Sequence, residues 1–110
     1  MMNQNNSKHI HILGIGGTFM SGIALIARAL GFRVTGNDKN CYSPIKELLA
    51  ENQVSWQEGY EQSNDALQAD LILVGNVVQK DFPILNAILK NNIAVQSGPE
   101  WLYEQVLKYK

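Results

Sequence analysis

Apolar positions along the chain switch between two spacings. His9-Ile10-His11-Ile12-Leu13 is a short β-prone run that meets Gly14 and the pair Gly16-Gly17, the pattern of a strand entering a tight turn. Beyond the turn, Phe19, Ile23, Ile26, Ala27 and Leu30 recur three and four residues apart, which predicts a helix with one apolar face that stops at Gly31. Phe32 to Gly36 predicts a second strand, closed by the polar cluster Asn37-Asp38-Lys39-Asn40. A second helix is expected from an N-cap at Ser43, with Pro44 at its first position and Ile45, Leu48 and Leu49 turned inward, ending near Asn52. Val54 to Trp56 leaves room for a brief third strand, and Glu58 to Gln68 reads as loop with one helical turn.

Ala69 to Val74 is the most apolar run, and its lack of alternation predicts a parallel strand covered on both faces. Asp81 is placed to cap a further helix with Pro83 in its first turn and Ile84, Leu85, Ile88 and Leu89 spaced for burial; Asn91-Asn92 ends it. Ile93-Ala94-Val95 predicts a fifth strand. Ser97-Gly98-Pro99-Glu100 then has the Ser-x-x-Glu form of a capping box, opening a last helix with Trp101, Leu102, Val106 and Leu107. This alternation of β and α predicts an α/β fold: a Rossmann-like three-layer αβα domain whose five-stranded parallel sheet has the order 3-2-1-4-5.

Composition narrows the functions open to such a domain. A chain of 110 residues has room for one core, and residues 9–110 are expected to form it, with the polar head 1–8 disordered. Nine basic against ten acidic residues give a net charge of -1, which supplies no general field for nucleic acid. The one cysteine, Cys41, excludes an internal disulfide and fits a reducing compartment; without a sequence-local histidine it reads as non-catalytic. Apolar runs stay far short of the roughly 20 residues needed to span a bilayer, and the amino terminus lacks the apolar stretch of a secretory signal. The expectations are a cytoplasmic protein with neither nucleic acid nor membrane as partner. His9 and His11 have no further ligand at metal-binding spacing, so no metal site is expected.

The candidate chemistry lies in the glycine turn. A parallel strand delivers the chain to the carboxyl edge of the sheet, where the next helix begins with unpaired amides and the positive end of its dipole. Gly14 permits the turn, and Gly16 and Gly17 remove side chains that would keep a diphosphate from those amides. Thr18 and Ser21 offer hydroxyl contacts, and Gly22 is expected to let helix and sheet approach closely. Gly14-x-Gly16 with Asp38 downstream also suits a dinucleotide or CoA-binding module, but Phe19 stands where that fingerprint wants a small residue.

Gly14-Ile15-Gly16-Gly17-Thr18-Phe19-Met20-Ser21-Gly22, Thr35-Gly36-Asn37-Asp38 and Ser97-Gly98-Pro99-Glu100-Trp101-Leu102 together resemble motifs of the Mur ligases. The resemblance extends over nearly the whole chain from Lys8. It implies that this domain binds the UDP part of UDP-N-acetylmuramate, while a middle domain holds ATP and a third receives the incoming amino acid or peptide. The chain is then the amino-terminal domain of a three-domain, ATP-dependent amide-bond-forming ligase. ATP and Mg2+ are expected for the full-length enzyme, and neither a cofactor nor a catalytic residue is expected among these residues. The members most similar in wording join the tripeptide L-alanyl-γ-D-glutamyl-meso-diaminopimelate to UDP-N-acetylmuramate in peptidoglycan recycling; those that add L-alanine are the alternative. By the same resemblance Gly16, Gly17, Thr18, Phe19 and Met20 surround the diphosphate and Asp38 stands at the uridine end. Gly14 and Ser21 from the turn, with Asn76 and Ser97 at the ends of the fourth and fifth strands, complete the substrate-binding set. Where alanine-adding members often carry a histidine after the glycine matching Gly59, this chain has Tyr60.

Overall fold

The computed structural model describes residues 8–61, 64–75 and 82–105. Within them lie five strands, β1 (His9–Leu13), β2 (Arg33–Asp38), β3 (Ser55–Glu58), β4 (Leu71–Val74) and β5 (Val95–Ser97). They alternate with five helices, α1 (Thr18–Ala29), α2 (Ile45–Glu51), α3 (Asn64–Leu67), α4 (Pro83–Lys90) and α5 (Gly98–Gln105). Every strand pair is parallel and the order is β3-β2-β1-β4-β5, as predicted.

β1 is the middle strand and is buried along its whole length. Its alternate residues Ile10 and Ile12 join Ile23, Ala27, Leu49 and Trp101 in the core formed with α1, α2 and α5. Leu13 points the other way, to Ile72, Ala66, Ile84 and Ile88 in the core formed with α3 and α4. Each fully buried leucine or isoleucine contributes about 1.5–3 kcal/mol relative to exposure, so among the described residues the α1, α2 and α5 face, with the larger set, carries the greater share. His9 and His11 share the face of Leu13 and are buried, although their polarity alone suggests a half-exposed strand.

Boundaries differ from the predicted ones where long-range pairing outweighs local preference. β2 continues through Asn37 and Asp38, because both pair with β3 in register with Gln57 and Glu58. β3 and β5 start later than expected, at Ser55 and Val95, each aligned by the strand beside it. α2 starts at Ile45 rather than at Pro44, without a side-chain cap; the Ser43 hydroxyl instead donates to Glu47 at 2.7 Å. Gly22 does not serve close packing, since a Cβ there would meet nothing within 4 Å. The close approach occurs at Gly98, where a Cβ would stand 2.7 Å from Met20 Sδ and 2.8 Å from Ile23 Cδ1. The expected cap Asp81, the site candidate Asn76 and the last-helix residues Val106 and Leu107 lie outside the described residues.

Candidate functional site

The carboxyl ends of all five strands open on one cavity of about 830 Å³. The loop after β1 supplies Gly14 and residues 16–20, and the loop after β2 supplies Lys39, Asn40 and Tyr42 beyond Asp38. Tyr60 follows β3, Val74 and Gly75 end β4, Phe82 leads into α4, and Ser97 and Pro99 flank the start of α5. A parallel sheet collects its ligand site at this edge because every strand ends there beside a helix beginning.

The amides of the glycine turn divide into two groups. Those of Gly14 and Ile15 both donate to the Asn37 carbonyl, at 2.8 and 3.2 Å, and that of Gly16 donates to Asp38 Oδ2 at 2.7 Å. Gly17 closes the turn onto the Gly14 carbonyl at 3.2 Å. The amides of Thr18, Phe19 and Met20, the first three of α1, have no partner, as the opening turn of a helix dictates. The donors left for an anion are therefore one turn further on than the glycines themselves. Gly14 has φ 88°, a left-handed conformation that favours glycine. At Gly16 a Cβ would collide with the Asn40 carbonyl and stand 2.9 Å from Asp38 Oδ2, so a side chain there would break the bond that braces the turn.

The candidates fall in three places. Gly14, Gly16, Gly17, Thr18, Phe19, Met20, Asp38 and Ser97 line the cavity. Ser21 does not; it is buried and its hydroxyl donates to the Thr18 carbonyl at 3.0 Å. Asn76 is not among the described residues, although Val74 and Gly75 bring the chain to the cavity wall. Phe19 and Met20 part company: Met20 is buried against Gly75 and Gly98, whereas Phe19 is 52% exposed. Ser97 also completes the predicted capping box: its hydroxyl accepts from Glu100 N at 3.2 Å and Glu100 Oε1 accepts from Ser97 N at 3.1 Å.

Lys39, Asn40, Tyr42, Tyr60, Phe82 and Pro99 are wall residues that the sequence reading did not select. Position just after a strand end was the available signal for Lys39 and Asn40. Tyr60 was marked only by the family resemblance, as the residue after Gly59, and its ring stacks on Phe82 with centroids 4.4 Å apart. Its hydroxyl is a buried polar atom without a hydrogen-bond partner; it feels the Asp38 carboxylate without completing a bond to it. Burial, and then the Asp38 charge, push this hydroxyl above its ordinary pKa, so it stays a neutral donor, buried at the cavity wall beside Asp38. Burial likewise raises the Cys41 thiol, which disfavours the reactive thiolate. No group of three or more His, Cys, Asp or Glu residues suited to a metal ion occurs among the described residues. None of their helices is long and apolar enough to cross a membrane.

Comparison with known proteins places this geometry. The family model described as "Mur ligase family, catalytic domain" matches residues 9–110. The UDP-N-acetylmuramate–L-alanyl-γ-D-glutamyl-meso-2,6-diaminoheptandioate ligase of Escherichia coli K12 is 46% identical over 99 residues, covering 90% of this chain and 22% of that enzyme. The UDP-N-acetylmuramate–L-alanine ligase of Clostridium acetobutylicum is 36% identical over 96 residues, covering 87% of this chain and 20% of the relative. Among solved structures, the murein peptide ligase of Psychrobacter arcticus superposes with a TM-score of 0.87 at 44% identity, over 92% of this chain and 21% of that one. The chain thus spans about a fifth of the length of the relatives it matches.

Proposed function

The chain belongs to the Mur ligase family, and from that premise we propose that its cavity seats the UDP part of UDP-N-acetylmuramate. The whole protein is then a cytoplasmic, ATP-dependent ligase that joins L-alanyl-γ-D-glutamyl-meso-diaminopimelate to that nucleotide in peptidoglycan recycling. The observation that carries the reading is the row of unpartnered amides at Thr18, Phe19 and Met20, on the cavity wall at the positive end of α1. A diphosphate accepts such donors without needing a lysine, and Lys39 stands on the same wall to add charge. Asp38 and the unpaired Tyr60 hydroxyl, an acceptor and a donor side by side, suit the hydroxyls and carbonyls of a ribose and base.

The tripeptide ligase is preferred to the alanine ligase because identity is 46% to the former and 36% to the latter. Residues 9–110 are the nucleotide-sugar domain on this reading; Ser97 on the cavity wall is a further contact, and Asn76 is proposed as one from the sequence resemblance alone. ATP with Mg2+ would supply activation of the muramyl carboxylate. The 110 residues contain no Gly-x-x-Gly-Lys-Thr phosphate loop to hold it, so the role of this domain is to bind and orient substrate.

Titration calorimetry and thermal shift against UDP-N-acetylmuramate, UDP and NADH test the reading. UDP-N-acetylmuramate is expected to bind and to stabilise the fold, by about 2.7 kcal/mol at a hundredfold excess over Kd. UDP should do so more weakly and NADH not at all. Neither heat nor shift with millimolar UDP-N-acetylmuramate would overturn the reading, and a shift with NADH alone would reassign the cavity to a dinucleotide.

A further inference from the structure

Beneath the cavity runs a line of buried polar side chains that nucleotide binding does not itself require. On the α3 and α4 side of the sheet, His9, His11, Thr35 and Asn37 are each at most 3% exposed, and they are linked end to end. His9 Nε2 lies 2.6 Å from Thr35 Oγ1, Thr35 Oγ1 lies 2.6 Å from His11 Nδ1, and His11 Nε2 lies 2.6 Å from Asn37 Oδ1. Asn37 Nδ2 donates to the Gly59 carbonyl at 2.9 Å. At the other end, Arg33 Nη1 donates to His9 Nδ1 at 3.5 Å.

The two ends give this chain one direction. A backbone carbonyl only accepts, so the Asn37 amide nitrogen must face Gly59 and its oxygen must face His11. His11 Nε2 is then the donor and its Nδ1 the acceptor, which turns the Thr35 hydrogen toward His11. Thr35 in turn accepts from His9 Nε2, leaving His9 Nδ1 as an acceptor. A guanidinium only donates, and Arg33 meets that nitrogen. Both rings therefore carry a proton on Nε2; His11 is neutral, and at His9 burial and the Arg33 charge disfavour the second proton that the Gln68 backbone would accept. A second proton on His11 would leave the Thr35 hydrogen without an acceptor in the chain.

Asn37 joins this line to two walls of the cavity. Its carbonyl receives the Gly14 and Ile15 amides of the glycine turn, and its side chain anchors the carbonyl of Gly59. The Gly59 amide is held as well, by the Asp38 carbonyl at 2.8 Å, and Tyr60 follows immediately, its own carbonyl accepting from Ile84 N at 3.2 Å. Resting on the reading of the cavity as the nucleotide seat, we propose that Asn37, His11 and Thr35 are positioning residues. Through a one-way hydrogen-bond chain from Arg33 to Gly59 they set where Tyr60 stands relative to the glycine turn.

The test joins ring-nitrogen NMR of the unaltered chain to binding by two near-isosteric variants. At pH 7 both histidines are expected as neutral Nε2–H tautomers; an Nδ1–H tautomer or a protonated ring at either position would overturn the chain. Thr35→Val removes both histidine bonds while keeping the shape, and is expected to move the Gly59 and Tyr60 amide signals and weaken UDP-N-acetylmuramate binding about tenfold. Thr35→Ser, which restores the hydroxyl, should return binding to within about twofold of the parent. If the parent binds and Thr35→Val leaves affinity and the Gly59 and Tyr60 signals unchanged, the positioning role is wrong while the nucleotide reading stands. If the parent binds no UDP-sugar, that reading fails, and the ring nitrogens and amide signals still decide this one.

Discussion

At the scale of single residues, the proposed nucleotide seat separates groups that build the fold from groups proposed to meet the ligand. Tyr60 belongs to the second kind: its ring is buried on Phe82, yet its hydroxyl has no partner. An unpaired buried hydroxyl costs stability, so Tyr60→Phe should leave the unfolding midpoint unchanged or raise stability by up to about 1 kcal/mol. The same substitution should weaken UDP-N-acetylmuramate binding about tenfold, which calorimetry reads directly. A loss of stability with unchanged affinity would make Tyr60 a packing residue only. Gly16 is the opposite case, because its space is already filled by the Asn40 carbonyl and the Asp38 carboxylate. Gly16→Ala should cost both folding stability, by about 1–3 kcal/mol, and ligand affinity, since the brace that presents the α1 amides is displaced.

At the scale of elements, helix ends and helix middles make opposite demands. Gly22 sits in the interior of α1 with open space where its Cβ would be, so its backbone entropy is a cost without a packing return. Gly22→Ala is expected to stabilise the chain by about 0.5–1 kcal/mol in chemical denaturation without altering binding. The start of α5 is different, because Gly98 admits Met20 and Ile23 and the Ser97–Glu100 box satisfies amides at the same turn. Ser97→Ala removes one half of that box and should destabilise by about 1 kcal/mol; for a domain this size that lowers the melting temperature by about 4–8 °C.

At the scale of the whole molecule, the buried histidines couple the fold to pH. Burial holds His11 down at about 4, from an ordinary 6.5, and burial followed by the Arg33 charge lowers His9, while Asp65 and Asp70 oppose the shift. The unfolded chain takes up protons as pH falls through 6.5, whereas the folded chain does not until its own lower values are reached. Stability is therefore lost between about pH 6.5 and about 4, by up to about 1.4 kcal/mol per pH unit for His11, whose contribution levels off below that window, and His9 acts in the same direction. Denaturation midpoints at pH 7.5, 6 and 5 should decline in that order, and the decline should be shallower in His11→Gln. An equal slope in that variant would assign the pH response to other groups.

Much of this protein was determined by spacing along the chain. The order of strands and helices, the parallel 3-2-1-4-5 sheet, the glycine turn and the Ser97–Glu100 box all follow from short-range rules: period, turn chemistry and capping act over a few residues. Distant pairings were decided only when the sheet aligned them. Register placed Asn37 beside Leu13 and Thr35 beside His11, and this drew Asn37, expected to lie beyond the strand, into a buried line of hydrogen bonds with the strand residues Thr35 and His11. The same assembly committed the Gly16 amide to Asp38, moved the close approach from Gly22 to Gly98, and brought Tyr60 to the cavity wall. None of these is legible from local pattern. Each depends on which atoms of remote segments come within about 3 Å, and hydrogen bonds and steric contacts are decided at that distance.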